Sequence, residues 1–440
     1  MRKVKVGDVL KRVKDTTTID DNQRYKRMTI KMNHKGVSVR DIELGINIGT
    51  KSQFFIREGQ FLLSKIDARN GAFGIVPPEA DGAIITGNFW AFDVNQKELN
   101  IDLFHIMTSL PFFDELSKKA SSGTTNRQYL DEKKFLAQEI TLPPIEEQDI
   151  FITHFKKIQI AHRNTLAELK TQSTLIAKLR SSILSDAVSG RLIPQDPTDE
   201  PASVLLERIK IEKERLIKEG KLKRDKPLAP VTADEIPYEL PEGWSWCRLK
   251  DVCKYITDGE HQTPPRIIVG KKLLSAKNVR DGFIDYENCD YISELHYEKA
   301  RNRCMPEVGD LLIVSVGGTI GRTSLILENS DFALVRSVAL IKPLLIKSEY
   351  LRIVLNSKLL QDMINLTKHG GAQPCLYLNS INQFLFPLPS LTEQHRIVVK
   401  VEKLMATCDA LEAEVAKSRM ETDRLMQTVL KEAFDVSENK

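Results

Sequence analysis

Cysteine is scarce and one-sided in this 440-residue chain. The six cysteines, Cys247, Cys253, Cys289, Cys304, Cys375 and Cys408, all lie in the second half, and no two stand in a CxxC pair. That excludes zinc-ribbon spacing. The first half does without cysteine, so a disulfide framework is not expected; reduced thiols in a cytoplasmic protein are. Long apolar runs are also missing. Nothing approaches the ~18 uninterrupted apolar residues of a membrane span, and Met1-Arg2-Lys3-Val4-Lys5 does not open a secretory leader. Charge of one sign is lacking too. With 64 Lys+Arg against 60 Asp+Glu the net charge is +4, which excludes a histone-like polycation but not a local basic face. At ~150 residues per domain, the length predicts two or three domains.

Catalytic signatures are absent as well. In Val316-Gly317-Gly318-Thr319-Ile320-Gly321-Arg322-Thr323 the glycine spacing is one residue too short for a P-loop, and Arg322 stands where Lys is needed. The run reads as a glycine turn between strands, which could still press against a DNA backbone. The Pro-Pro pairs at 77–78, 143–144 and 264–265 lack the Asn/Asp-Pro-Pro-aromatic pattern of an amino-methyltransferase. Asp258-Gly259-Glu260-His261 lacks the lysine of a metal nuclease. The histidines form no HExxH or HxxxH set. No catalytic residue and no metal site is expected.

What the chain does contain is a repeat. Leu142-Pro143-Pro144-Ile145-Glu146-Glu147-Gln148 recurs as Leu388-Pro389-Ser390-Leu391-Thr392-Glu393-Gln394, at an offset of 246. Each copy starts a stretch without Gly or Pro, with acidic residues in its first turn, favourable to the helix dipole there. In the second stretch the apolar stripe is Ile397, Val401, Leu404, Cys408, Leu411, Val415, Ser418, Thr422, Leu425 and Val429. In the first it is Phe151, Phe155, Ile158, His162, Thr165, Leu169, Gln172, Ile176, Leu179 and Ile183. Steps of four and three make a heptad seam. Each helix is expected to be a rod of ~65 Å at ~1.5 Å per residue, and the two rods are expected to bury their seams against each other. Gly190 and Pro194 stop the first.

The segments before the rods echo each other too. Glu58-Gly59-Gln60-Phe61-Leu62-Leu63-Ser64 resembles Glu307-Val308-Gly309-Asp310-Leu311-Leu312-Ile313, and Asn88-Phe89-Trp90-Ala91-Phe92 matches Ser337-Val338-Ala339-Leu340-Ile341. Short β-branched and aromatic runs broken by Gly, Asn and Asp read as strands and turns. The fold class expected is α+β: two α/β globules separated by two long antiparallel helices forming a coiled coil, in a pseudo-two-fold internal repeat. The expected domains are a globule over 1–142, a helix over 143–190, a connector with one charged helix over 191–240, a second globule over 241–388 and a second helix over 389–435.

Basic charge is concentrated at the start. Residues 1–40 hold twelve Lys/Arg against four Asp, a net of +8, a field able to attract phosphates. Polar loops then mix Arg and Lys with Asn, Gln, Ser and Thr. Arg and Lys suit guanine edges, Asn and Gln suit adenine, and hydroxyls and backbone amides suit phosphate. The candidate DNA contacts are Ser64, Lys65, Arg69, Asn70, Asn88, Thr124, Thr125 and Arg127 in the first globule. In the second they are His261, Thr263, Lys277, Asn278, Arg322, Arg336 and Gln373. Two such sets suggest two half-sites on double-stranded DNA. The alternative is a coiled-coil scaffold whose globules bind protein, for which binding to DNA would show no steep salt dependence.

The pattern resembles the specificity subunit of type I restriction–modification systems over essentially the whole chain. The carriers are the two Leu-Pro-x-x-x-Glu-Gln starts, Leu240-Pro241-Glu242-Gly243-Trp244-Ser245-Trp246, the Asp258-Gly259…His261…Thr263-Pro264 loop and the Pro-Ala-Ser-Val-Leu-Leu-Glu-Arg stretch from Pro201. The first half lacks the Trp-rich opening and the Asp-Gly-x-His loop, so its domain is a different variant. The resemblance implies two target-recognition domains, each reading one half of a split, asymmetric sequence. It implies a helical pair that sets the unread spacer and docks two methyltransferase subunits, with Pro143, Glu147, Gln148, Pro389, Glu393 and Gln394 as candidate partner contacts. It also implies a restriction and translocation subunit that joins through them. S-adenosylmethionine, ATP and Mg would sit on those partners, and this chain would hold no cofactor.

Overall fold

The computed structural model describes residues 1–124, 127–328, 331–368 and 374–434. It divides into two compact units, Met1–Lys170 with Ala416–Lys440, and Thr171–Val415. Both are built around the same scaffold. In the first unit, strand Arg2–Lys5 pairs antiparallel with Glu139–Leu142. A four-stranded antiparallel sheet follows in the order Leu10–Val13, Phe89–Val94, Phe61–Ser64, Phe73–Ile75. In the second unit Ser245–Arg248 pairs with Leu385–Leu388. Its sheet runs Cys253–Asp258, Val338–Pro343, Leu311–Val314, Thr323–Leu325. The registers agree across the repeat: Leu63 faces Phe73, and Ile313 faces Thr323.

The central strands explain their own sequences. Leu311-Leu312-Ile313-Val314 is apolar at every position because both faces are covered. Successive side chains point to opposite faces. Leu311 and Ile313 therefore join the core formed with the helices, while Leu312 and Val314 join a second core under Phe332 and Leu334. Phe61 and Leu63 divide from Leu62 in the same way in the first unit. Even the polar link beside these strands is repeated with different chemistry. The Gln60 amide donates to Asp93 at 2.8 Å, and at the same place Lys342 donates to Asp310 at 2.5 Å and Glu307 at 2.8 Å.

What covers the second face is not repeated. The first unit carries a five-stranded sheet, Asp15–Thr18, Ser52–Phe55, Ile84–Ile85, Arg24–Ile30, Val37–Leu44. The second carries three strands, Asp290–Ile292, Lys271–Leu274 and Phe332–Leu334, with the helix Glu294–Arg303 beside them. Shared scaffold and unlike inserts are the structural form of a low-identity repeat.

The long helices are Ile145–Val188 and Leu391–Phe434, 44 residues each. In each unit the start of one lies against the end of the other, and they run antiparallel. In the first unit His162 meets Asp423 at 3.2 Å, and Phe151, Phe155 and Met426 share one cluster. In the second, Arg180 reaches Asp409 at 2.5 Å and Glu412 at 3.0 Å. The expected seam needs one correction. Its seven-residue members Phe155, His162, Leu169, Ile176 and Ile183 are turned inward, but the residues between them are not: Ile158, Thr165 and Leu179 are exposed, and the inner positions pass to Leu166 and Arg180. Leu411 and Leu425 are likewise exposed. Arg180 tolerates the seam because two carboxylates and the Met405 sulfur engage its guanidinium while its stem packs. The first helix stops at Gly190, whose φ of +72° suits glycine, with the Arg191 and Leu192 amides both bonded to the Asp186 carbonyl. The helix Ala202–Lys218 then buries Ala202, Leu205 and Ile209 in the core of the second unit. Among the described residues no helix is long and apolar enough to cross a membrane.

Candidate nucleic-acid interface

In both units three loops meet at one end of the four-stranded sheet. The loop after Phe61–Ser64 starts at Lys65, whose amide donates to the Asn88 carbonyl at 2.8 Å and whose carbonyl accepts from Leu130 at 2.9 Å. In the second unit the Ser315 amide donates to Ser337 at 2.9 Å, and its carbonyl accepts from Leu376 at 2.8 Å. These are the same bonds at corresponding positions. Each loop turns at a left-handed glycine, Gly71 at φ +70° and Gly321 at φ +93°. A Cβ on Gly71 would stand 2.9 Å from the His34 amide nitrogen, so the turn admits glycine for space as well as for angle.

The first junction gathers several of the expected contacts. Arg69 donates to Gln128 at 2.8 Å, and the Lys65 ammonium lies 5.3 Å from the centre of the Tyr129 ring. Asn70 and Asn88 are exposed. A hairpin tip closes one side: the Asn33 and His34 amides donate to the Asn70 and Gly71 carbonyls at 2.8 and 3.0 Å. The His34 ring is itself held between the Thr108 carbonyl and Asp114, both at 2.9 Å. A carbonyl only accepts, so the nitrogen facing Thr108 carries hydrogen. Thr124 and Arg127 fall in the paired strands Ser121–Thr124 and Arg127–Leu130. Thr125 lies outside the described residues.

The second junction is built around a charged knot. Arg303 donates to Asp258 and to His261, both at 2.7 Å, and to the Gly259 carbonyl at 3.1 Å. A cavity of about 390 Å³ is lined there by Asp258, His261, Ser315, Arg336, Cys375 and Tyr377. Arg336 is exposed and Thr263 is exposed. Arg322 lies 3.7 Å from Asp281 beside the glycine turn, and Lys277 pairs with Asp290 at 2.9 Å. Gln373 lies outside the described residues. Arg303 and Ser315 are missing from the sequence-based set. Carrying the Lys65 position across the repeat leads to Ser315, but Arg303 closes a helix 42 residues beyond His261 and carries no local signal.

Several expectations need correction. Asn278 is fully buried: it accepts from the Ser275 amide at 3.0 Å and donates to the Asp285 carbonyl at 2.9 Å, so it ties a loop and has no atom left for a base. Ser64 is buried and accepts from the Asp67 amide. The +8 field of residues 1–40 is partly cancelled in the fold. Arg2 pairs with Glu98, Arg27 with Asp41 and Glu43, and Arg40 with Asp41. The Arg27 contact holds the Asp41 carboxyl below its ordinary range. Arg12 lies over the Trp90 and Phe92 rings, where burial lowers its pKa to about 10.

The Leu-Pro-x-x-x-Glu-Gln motif is largely an internal fastening. Gln148 is fully buried; it accepts from the Asn100 amide at 2.7 Å and donates to the Glu98 and Pro143 carbonyls at 3.0 Å each. Gln394, also fully buried, accepts from the Lys347 amide at 2.9 Å and donates to the Pro389 carbonyl at 3.1 Å. Each glutamine locks the start of a long helix to the loop before the next helix of its globule. Pro143 and Pro389 are buried as well, and only Glu147 is exposed. Glu393 is buried, with one oxygen on the Trp244 indole nitrogen at 2.8 Å.

Comparison with known proteins places this duplicated scaffold. The family model of the type I restriction modification DNA specificity domain matches residues 1–171 and 241–418, and the chain belongs to that family. It is 34% identical over 250 residues to the type I restriction enzyme EcoAI specificity subunit of Escherichia coli, covering 55% of this chain and 42% of that one. It is 27% identical over 404 residues to the EcoEI specificity subunit of the same species, covering 77% and 64%. The chain thus spans less than two thirds of the length of these two relatives. Among solved structures it is similar to the HsdS subunit from Thermoanaerobacter tengcongensis, with a TM-score of 0.57, 19% identity, and 98% and 96% of the two chains covered. A second similar chain, from a structure of the assembly and conformational transition of the type I R-M system, has a TM-score of 0.62 at 18% identity, over 98% and 97%. At these identities the structural likenesses speak for the fold.

Proposed function

We propose that the chain is the DNA sequence-recognition subunit of a type I restriction–modification complex. The observation that carries this is the duplicated three-loop junction, with the same backbone clamp in both units and different side chains and inserted sheets around it. Two dissimilar readers in one chain suit a bipartite, asymmetric target. In this reading Lys65, Arg69, Asn70, Asn88, Thr124, Thr125 and Arg127 serve one half-site, and His261, Thr263, Lys277, Arg322, Arg336 and Gln373 the other. Arg303 positions His261. The paired long helices act as the ruler for the unread spacer and dock two methyltransferase subunits, through which the restriction and translocation subunits join. The chain itself is non-catalytic and works in the cytoplasm. S-adenosylmethionine, ATP and Mg belong to the partners.

The test is methylation mapping in cells that carry the methyltransferase partner with or without this chain. The expected result is a two-part motif with a constant gap that disappears with the chain. Exchanging residues of the first junction should change one half of the motif only. Methylation at an undivided motif, or at the same sites without the chain, would refute the reading.

A further inference from the structure

We propose that the tip of the hairpin Arg24–Ile30 and Val37–Leu44 reads DNA beside the loop at Asn70, with Asn33 on an adenine edge and Lys31 and Lys35 on the flanking phosphates. The assignment rests on the sequence-recognition reading above and adds to it residues outside its contact set. The two strands pair antiparallel, and the tip is short and closed: the Lys31 amide donates to the Gly36 carbonyl at 3.0 Å. Asn33 and His34 are both left-handed, at φ +59° and +57°. Two successive non-glycine residues in that region persist only where their surroundings hold them. Here the hold is extensive. Both amides donate to the loop, at the Asn70 and Gly71 carbonyls, and the His34 ring is bonded to the Thr108 carbonyl and Asp114. The same ring stands edge-on to Phe73, with centres 5.4 Å apart. A Cβ on Gly74 would lie 3.1 Å from the Gly36 Cα, so the end of the hairpin also presses on the strand Phe73–Ile75.

What this fixed tip presents is unspent. Lys31, Asn33 and Lys35 are exposed, and among the described residues their side chains have no hydrogen-bond or ion-pair partner. Elsewhere in residues 1–40 basic charge is consumed inside the fold, by Glu98 on Arg2 and by Asp41 on Arg27 and Arg40. At the tip it is left whole, with one amide side chain between two ammonium groups. The bond from the Asn33 amide to the Asn70 carbonyl puts this trio next to Arg69 and Asn70, inside the first junction. An asparagine amide donates and accepts in the pattern of adenine N6 and N7, and lysines suit phosphate. The major groove admits a two-stranded β-ribbon. A tip already held in one conformation loses little freedom on binding. Among the described residues of the second unit the insert is different, three strands with the helix Glu294–Arg303. Asn33 therefore serves one half-site only.

The experiment measures binding of the full chain, assembled with its methyltransferase partner, to duplexes carrying the mapped motif and each single-base change in it. Fluorescence anisotropy is read over a range of salt. Asn33→Gly keeps the left-handed backbone and removes the amide. It should lower discrimination at one adenine of one half by about tenfold and leave the other half unchanged. Asn33→Asp accepts but no longer donates, and should move the preference at that position from adenine toward cytosine. Lys31→Ala combined with Lys35→Ala should weaken all duplexes alike and lower the slope of log affinity against log salt by about two. A parent complex with no divided motif removes the recognition reading and this assignment with it. A divided motif whose discrimination is unchanged in both Asn33 variants, or a salt slope unchanged in the lysine pair, overturns the hairpin assignment alone.

Discussion

Replacing Gln148 by alanine separates a fastening from a docking contact. The side chain is wholly enclosed and serves three backbone groups: the Asn100 N–H and the Glu98 and Pro143 carbonyls. The N–H loses its acceptor once the amide is gone, and leaving such a donor unsatisfied costs about 1–3 kcal/mol. The two carbonyls each lose a bond of net ~1 kcal/mol, part of which entering water restores. The loss is therefore about 3 kcal/mol. For a unit of roughly 200 residues, at about 2–4 °C per kcal/mol, that lowers its melting temperature by about 6–12 °C. Gln394→Ala removes two bonds and should lower the second unit's transition by somewhat less. Calorimetry of the full chain measures each loss against the parent. If Gln148→Ala melts within about 1 °C of the parent yet fails to assemble with a methyltransferase subunit, the fastening argument is wrong and the motif is a docking surface.

Three further outcomes follow from the same geometry. Lys342→Met leaves Asp310 buried without its cation and should cost the second unit about 3–5 kcal/mol, while Lys342→Met with Asp310→Leu should recover most of it; denaturant melts of the two variants decide, and equal losses would contradict the pairing. Arg69→Ala should weaken DNA binding at all sequences and reduce the slope of log affinity against log salt by about one; an unchanged slope would mean that Arg69 serves Gln128 alone. Because burial raises the Glu393 carboxyl, the folded unit favours its neutral form. Its contribution is complete below the ordinary glutamate range and is lost as pH rises through the raised value. Glu393→Gln should therefore stabilise the second unit at neutral pH, with the gain vanishing in acid; a gain that grows in acid would refute the assignment.

The repeat, the two long helices and the class of fold were legible in the chain itself. They rest on local signals: the Leu-Pro-x-x-x-Glu-Gln starts, the long stretches free of Gly and Pro, and apolar runs that only a sheet covered on both faces requires. The heptad seam was read one residue off between its main layers. Sequence spacing alone made Leu179 the better candidate, and only the carboxylates of Asp409 and Glu412 on the facing helix admit Arg180 in its place.

The functional side chains divide along the same line. A polar loop containing Arg69 and Asn70 is visible in sequence because glycine, asparagine and basic residues cluster there. Which polar residues remain available is a question of distant partners. Asn278 looked like a base contact and is consumed by backbone carbonyls, and Gln148 and Gln394 looked like docking residues and are consumed by amides. The buried oxygen of Glu393 and the grip of Arg303 on His261 depend on segments far apart in the chain. Sequence determined the element types and their duplication, because periodicity and turn chemistry act over a few residues. Tertiary structure alone decided which charges and hydrogen-bonding groups stay unspent, because each is cancelled or left open by residues that only folding brings alongside it.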